Sequence, residues 1–424
     1  MQPTTVETKT RGAGLALTAA FLGWMFDGME MGIFPLVARP ALQDMQAAAG
    51  IVDEKFVQTW MGIITALFLL GAAAGGLVFG WLGDRIGRVR AMTWSILCYS
   101  VFTGFCYVAA QPWLLGALRF IAALGMGGEW ALGVALVMEA WPGGKRPLMA
   151  GLIGAAANLG YAIIALIAIG FDITRDSWRW VMLVGAAPAA LTFFIRLYVP
   201  ESEKWKQSVK AAPANARSPL REIFSPELRR NTFFAIAFSS IALVVTWGIV
   251  QWIPLWADQM AEQTMPGNHP KVKAYVQLAS ALGATAGCII APLLGGRFGR
   301  RPVFFCLCLA SLIVCQILFN GFSTYGGGFI AAVFAVGFFT AAFYGWLPLY
   351  LPELFPTRVR ATGQGLAFNF GRILAAVGAW QMASIMGFFG GSYPKAGAAI
   401  VFVYLLGMVL IWFAPETKNR PLPE

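Results

Sequence analysis

Gly80-Trp81-Leu82-Gly83-Asp84-Arg85-Ile86-Gly87-Arg88-Val89-Arg90 closes an apolar run, and it returns as Gly295-Gly296-Arg297-Phe298-Gly299-Arg300-Arg301, 212 positions later. The glycines permit a tight reversal, and the cations stop a chain from being pulled across a membrane. Two further pairs repeat at almost the same distance. Glu139-Ala140-Trp141-Pro142 with Arg146 returns as Glu353-Leu354-Phe355-Pro356 with Arg360, 214 positions on, and Pro200-Glu201-Ser202 returns as Pro415-Glu416-Thr417, 215 positions on. Three independent matches at one spacing read as two parallel halves. We place the first at residues 1–200, the second at 231–424, and a polar cytoplasmic linker at 201–230, where Pro213, Pro219 and Pro226 sit among charges.

A composition of 58% hydrophobic and 12% charged residues excludes a soluble protein of this length. Apolar runs predict an all-α membrane protein with twelve transmembrane helices near 13–36, 56–82, 91–110, 112–138, 147–170, 178–198, 231–257, 273–296, 303–322, 326–350, 362–389 and 393–414. No cleavable leader is evident before the first span. The net charge of +11 is a topology signal rather than a nucleic-acid footprint. With both termini cytoplasmic, cytoplasmic segments hold 21 of the 31 Lys and Arg, outer loops hold seven, and Arg119, Arg196 and Arg372 lie inside spans. That distribution places a multi-pass chain in the plasma (inner) membrane, with the lipid bilayer as its partner and no nucleic acid.

All six cysteines (Cys98, Cys106, Cys288, Cys306, Cys308, Cys315) fall in predicted helices and read as small apolar packers without a disulfide framework. The one histidine, His269, reads as a surface residue of an outer loop, so no metal site is expected. The absence of a Gly-x-x-x-x-Gly-Lys-Ser/Thr loop excludes a nucleotide-driven pump of that kind and leaves no cofactor to place.

The Gly-x-x-x-Asp-Arg-x-Gly-Arg turn, the Glu-x-x-Pro-x-x-x-Arg segments and the two Pro-Glu-Ser/Thr ends resemble the major facilitator superfamily over essentially the whole chain. The resemblance implies two pseudo-symmetric six-helix bundles rocking about a central cavity in a monomer. It also implies a cytoplasmic gate at Asp84, Arg88, Glu139, Arg146, Glu353 and Arg360. Gly296 stands where the first turn has Asp84, so the second latch is expected to be weaker or differently paired.

The first span reads Asp27-Gly28-Met29-Glu30 within apolar sequence. A carboxyl at hydrocarbon depth costs about 3 kcal/mol, so it normally faces protein or water and marks an ion, proton or substrate path. Counted from the span ends, Arg119 on the fourth span lies near the depth of Asp27, and the two are expected to pair or share water. Proton-coupled sugar porters and their relatives carry such an acid and arginine, so these positions resemble a coupling pair, with Glu30 nearby. Ten residues past Arg119, Glu129 lies in Gly125-Met126-Gly127-Gly128-Glu129-Trp130. It reads equally as a second proton site, part of the inner gate or a structural anchor. The run from Arg119 through Glu139 resembles sialate, lactate and aromatic-acid proton symporters more than hexose porters.

Arg372, near the middle of the eleventh span with Asn369 one turn earlier, has no acid beside it in sequence. A planar guanidinium there invites a carboxylate, or pairs structurally with carbonyls or a distant acid such as Glu129. Asn158, Tyr344, Trp346, Trp247 and Gln251 are the expected pocket walls. The hexose porters' glutamine pairs are replaced by Ala155-Ala156-Ala157-Asn158 and Ser239-Ser240. The sequence therefore reads as a non-enzymatic secondary transporter that takes up a small organic anion, a monocarboxylate or sialate-like acid, with protons. A sugar or polyol porter is the alternative. The doubled gate motifs suit alternating access better than a channel, and a transporter-like sensor would bind without turnover.

Overall fold

The computed structural model describes residues 4–50, 53–211, 218–264, 271–380 and 387–424; the side chains of 4–11, 192–193, 196 and 378–380 lie outside that description. His269, Arg217 and the side chains of Lys9, Arg11 and Arg196 are therefore not placed.

Lipid offers no partner to a backbone N–H or C=O, so long apolar runs satisfy themselves as helices. Among the described residues nine helical stretches are long and apolar enough to cross a membrane. The first half contains α1 (Thr4–Ala48), α2 (Glu54–Ile86), α3 (Arg88–Phe105), α4 (Pro112–Ala140), α5 (Arg146–Gly170), α6 (Trp178–Ala186) and α7 (Ala189–Tyr198). Two short helices, α8 (Glu203–Ala211) and α9 (Pro219–Glu222), occupy the polar linker. The second half contains α10 (Arg229–Gly248), α11 (Ile253–Thr264), α12 (Val272–Phe298), α13 (Arg300–Gly321), α14 (Gly327–Ala341), α15 (Phe343–Tyr350), α16 (Arg360–Trp380), α17 (Tyr393–Ile400) and α18 (Val403–Leu410). The helices α1, the pair α6 and α7, and α16 stand where the sequence places its first, sixth and eleventh spans.

Two spans read as continuous are broken. Between α10 and α11 the chain unwinds at Ile249 and makes a short turn over Val250–Trp252. Pro254, which has no N–H to donate, stands just inside the restarted helix. The Ile249 carbonyl accepts from the Trp252 backbone N–H at 3.0 Å and from the Tyr393 hydroxyl, so the break is satisfied inside protein. The tenth span breaks at Ala342 between α14 and α15.

The glycine stripe of α2 has two faces. A Cβ on Gly71 or Gly75 would lie 2.3 or 1.9 Å from the carbonyl oxygen of Phe120 or Leu124, so this face receives α4. A Cβ on Gly76 or Gly80 would strike Asn369 at 2.0 Å or the Ala361 carbonyl at 2.6 Å, so the other receives α16 of the opposite bundle. The repeated turns fold alike: Gly87 and Gly299 have φ of 110° and 105°, which an L side chain rarely adopts. We call the end of the molecule that carries these turns the turn side and the opposite end the far side. All six cysteines are free; Cys306 is exposed on the bundle surface and departs from the packing expectation, whereas Cys106, Cys288, Cys308 and Cys315 are buried.

Candidate functional site

Helices of both bundles enclose a central chamber of about 110 Å³. Trp24, Asn158 and Tyr161 line it from the first bundle, and Trp247, Gln251, Tyr344, Phe368 and Arg372 from the second. The unwound segment between α10 and α11 delivers Val250 and Gln251 to the wall, which is where irregular backbone can be tolerated in a membrane. Tyr161 closes toward the second bundle through Gln251 Nε2, which donates to its hydroxyl at 3.2 Å. Gln277 Nε2 donates to its carbonyl at 3.4 Å.

Toward the far side the chamber continues through a neck that shares Met31, Pro35, Trp247, Gln251, Pro254 and Gln277 with it. The neck opens into a vestibule of about 1010 Å³ lined by Arg39, Glu54, Lys55, Asp172 and Lys273. Toward the turn side the chamber is shut. Trp130 of α4 stacks on Phe368 of α16 with centroids 3.8 Å apart and planes 11° apart, and Trp24 meets both edge-on.

Of the expected walls, Asn158, Tyr344, Trp247 and Gln251 reach the chamber, and Trp346 does not. Two residues along a helix turn by about 200°, so when Tyr344 faces inward Trp346 faces away. It is buried among Phe238, Phe304 and Tyr350 at centroid distances of 6.1, 4.6 and 4.5 Å. Asn369 lies beneath the chamber rather than on it. Its Oδ1 accepts from Arg372 Nη1 at 2.7 Å, and its Nδ2 donates across the bundles to the Gly127 carbonyl at 3.0 Å.

The expected pairing of Asp27 with Arg119 is corrected. Arg119 pairs with Glu30, which also accepts from Thr103 at 2.9 Å, and the rings of Phe34 and Phe68 flank the guanidinium at 5.3 and 4.7 Å. Depth had been counted from a span ending at Leu36, but α1 runs on to Ala48. Glu30 therefore takes the level assigned to Asp27, which lies about 4.5 Å, or three residues, further along the helix. Asp27 is buried and faces Glu129, whose carboxyl lies over Gly23 one turn away on α1. Apart from each other, these two carboxyls have no hydrogen-bond partner among the described residues. Asp27 and Arg372 stand within electrostatic reach of each other from opposite bundles, but Asp27 is buried and does not line the chamber, whereas Arg372 does. The Nε of Arg372 has no hydrogen-bond partner among the described residues, and its guanidinium lies 5.7 Å from the Phe368 ring.

On the turn side the repeated motifs assemble two related networks. In the first, Arg88 donates to Asp84 at 2.8 Å, Glu139 at 3.1 Å and the Thr357 carbonyl of the other bundle at 2.7 Å. Glu139 also accepts from Arg360 at 2.9 Å and from the Ser202 hydroxyl. Asp84 accepts from the Thr362 backbone at 2.8 Å and its hydroxyl at 2.7 Å, again across the bundles. In the second, Arg300 donates to Glu353 at 2.6 Å and Thr417 donates to Glu353 at 2.5 Å. Gly296, in place of Asp84, instead leaves room for Pro147: a Cβ there would lie 2.8 Å from its ring. Arg146 stands within electrostatic reach of Glu353 but, among the described residues, makes no ion pair with it like the 2.9 Å pair of Arg360 with Glu139.

Residues outside the expected gate set join these networks. Glu201 and Glu416 accept from the first backbone N–H groups of α3 and α13, at 2.9 Å from Arg88 and 3.0 Å from Arg300. Burial pushes the Glu416 carboxyl up, but the N–H groups of Arg300, Arg301 and Lys418 outweigh it and hold the group below its ordinary value. The signal for both was present in the repeated Pro-Glu-Ser/Thr ends. Arg300, Ser202 and Thr417 also lay inside the repeated motifs, whereas Thr357 and Thr362 carried no mark beyond their place beside them.

The profile described as Major Facilitator Superfamily matches residues 15–379. The sialic acid transporter NanX of Escherichia coli is 28% identical over 402 residues, 94% of this chain and 93% of that protein. The cis,cis-muconate transport protein of Acinetobacter baylyi is 26% identical over 415 residues, 96% of this chain and 95% of that one. The solved proton:xylose symporter XylE superposes with a TM-score of 0.76 at 17% identity, covering 98% of both chains, which is a likeness of fold.

Proposed function

The chain belongs to the major facilitator superfamily and is a multi-pass membrane transporter of small organic substrates, not an enzyme, and we propose that it carries a small organic anion together with protons by alternating access. The observation that carries this reading is Arg372 on the chamber wall with Asp27, buried in the opposite bundle and not itself on that wall, within electrostatic reach of it. An ionised Asp27 serves as counter-charge to Arg372. A proton on Asp27 removes that counter-charge and leaves the guanidinium free for a carboxylate, so proton and anion load together. Co-transport with the proton also offsets the anion's charge. Relatives named for sialic acid and for cis,cis-muconate, both acids, support an anionic substrate.

The excess of Lys and Arg on the turn side assigns it to the cytoplasm of a plasma membrane, with both termini there. The far side then faces outward, and the chamber is reached from outside while the Asp84, Arg88, Glu139 and Arg360 network latches the inner gate. Residues 1–200 and 231–424 rock against each other, with 201–230 as linker. The Glu30–Arg119 pair, buried within the first bundle, is a fixed strut beside the coupling carboxyl. Glu129 is the acid that Asp27 faces in its own bundle, a second proton site.

A neutral sugar or polyol is the second reading, favoured by the uncharged amides of Asn158, Gln251 and Gln277 on the same walls. The test is a thermal-shift and binding screen of the purified protein against small carboxylates and sugars. A ligand at a hundred times its Kd stabilises the folded state by about 2.7 kcal/mol. Carboxylates are expected to stabilise the native protein and to lose that effect in Arg372→Ala. Stabilisation by sugars alone, or carboxylate binding that survives the substitution, overturns the reading.

A further inference from the structure

Asn369 sits on α16 between Phe368, which seals the chamber floor against Trp130, and Arg372 one turn up. It is buried and does not line the chamber. Its amide is fully committed: Nδ2 donates to the Gly127 carbonyl of α4 and to the Gly365 carbonyl of its own helix, both at 3.0 Å, while Oδ1 accepts from Arg372 at 2.7 Å. Gly76 leaves the room, since a Cβ there would lie 2.0 Å from Nδ2. One side chain thus ties the chamber's cation to the opposite bundle on the side that is shut.

We propose that Asn369 is a positioning residue that makes the readiness of Arg372 for a carboxylate depend on closure of the turn side; this rests on the reading of Arg372 as the anion-binding group. An amide oxygen aims a guanidinium only while the amide itself is held. With α4 and α16 in contact, Gly127 and Gly365 fix its plane and Arg372 is presented to the chamber. When the bundles part on the turn side, the Gly127 acceptor leaves with α4, the stack of Phe368 on Trp130 opens in the same movement, and the amide turns freely. Arg372 then loses its aim, and the anion is released to that side. Affinity is high from the far side and low from the turn side because one hydrogen bond exists in only one state.

The test measures KM for a small carboxylate from each face, using transporter reconstituted in both orientations, in the native protein, Asn369→Ala and the volume-keeping Asn369→Leu. Whichever variant is folded by thermal unfolding serves. A hydrogen bond to a charged group accounts for about a tenfold or larger change. The native protein is expected to show a turn-side KM at least about tenfold above the far-side KM. In the variants the far-side KM rises about tenfold toward it, with the turn-side value unchanged. Equal native values, an unchanged far-side KM in a folded variant, or a parallel rise on both faces overturns the proposal, since a direct contact or general damage moves both. Arg372→Ala separates the layers. If it spares carboxylate binding, the anion reading itself falls. If it abolishes binding while the Asn369 variants keep the native ratio, only the role of Asn369 falls.

Discussion

The Thr362 hydroxyl donates to Asp84 at 2.7 Å from one bundle to the other, which makes Thr362→Val a clean probe of the proposed inner latch. Valine keeps the shape and removes one hydrogen bond to a carboxylate. The ion pair of Asp84 with Arg88 inside the first bundle, at 2.8 Å, and the Thr362 backbone bond, also at 2.8 Å, both remain. A bond to a charged group accounts for about 1.5–3 kcal/mol. Because it joins parts that separate in the cycle, its loss falls on the equilibrium between turn-side-closed and turn-side-open states rather than on folding. At about 1.4 kcal/mol per decade, the open state should gain roughly ten- to a hundredfold in relative population. The assay is an interbundle distance distribution between spin labels at the exposed positions Gly144→Cys and Arg297→Cys, in a background lacking the exposed Cys306. Thr362→Val should add or enlarge a longer-distance population. A folded variant with the native distribution would refute the assignment of this network as the latch.

Two further outcomes follow from the same structure. Glu30→Ala leaves Arg119 buried without its acid and should cost about 3–5 kcal/mol of stability, read as a lower melting temperature; Glu30→Leu with Arg119→Leu should recover most of it, and native melting of the single variant would contradict the strut. Glu416 is held below its ordinary value when folded, so its contribution is present above the unfolded carboxyl value near 4.5 and is lost as pH falls through the lower folded value. Because the group is only partly buried and solvent screens it, the effect is small. Glu416→Gln should lower stability at neutral pH and narrow the gap to the native protein below about pH 4, measured as melting temperature against pH. A gap that widens in acid would contradict it.

The fold was legible because its signals are local. Apolar runs, turn glycines that must take positive φ, and cations beyond the span ends each act at the residue where they are read. The repeat then doubled every such signal, and Gly87 and Gly299 adopt the same backbone conformation. The chamber was legible where one residue on one helix sufficed, as with Arg372, Asn158, Tyr344 and Gln251. It was not legible where rotation or register between helices decides. Asp27 and Glu30 differ by three residues, and which of them meets Arg119 depended on where α1 ends. Trp346 turned outward because its neighbour two positions back turned inward. Asn369 could be placed one turn before Arg372, but its contact with Gly127 is set by how closely α2, α4 and α16 approach, which no single segment encodes.

The central claim is that a buried titratable side chain of one bundle, Asp27, and a cation of the other on the chamber wall, Arg372, couple a proton to an anion. The most direct measurement is uptake of a radiolabelled small carboxylate by proteoliposomes carrying Asp27→Asn, with and without an imposed pH gradient. The variant should still exchange substrate in counterflow and should fail to concentrate it when the gradient is applied. Accumulation driven by pH at the native level would contradict the claim.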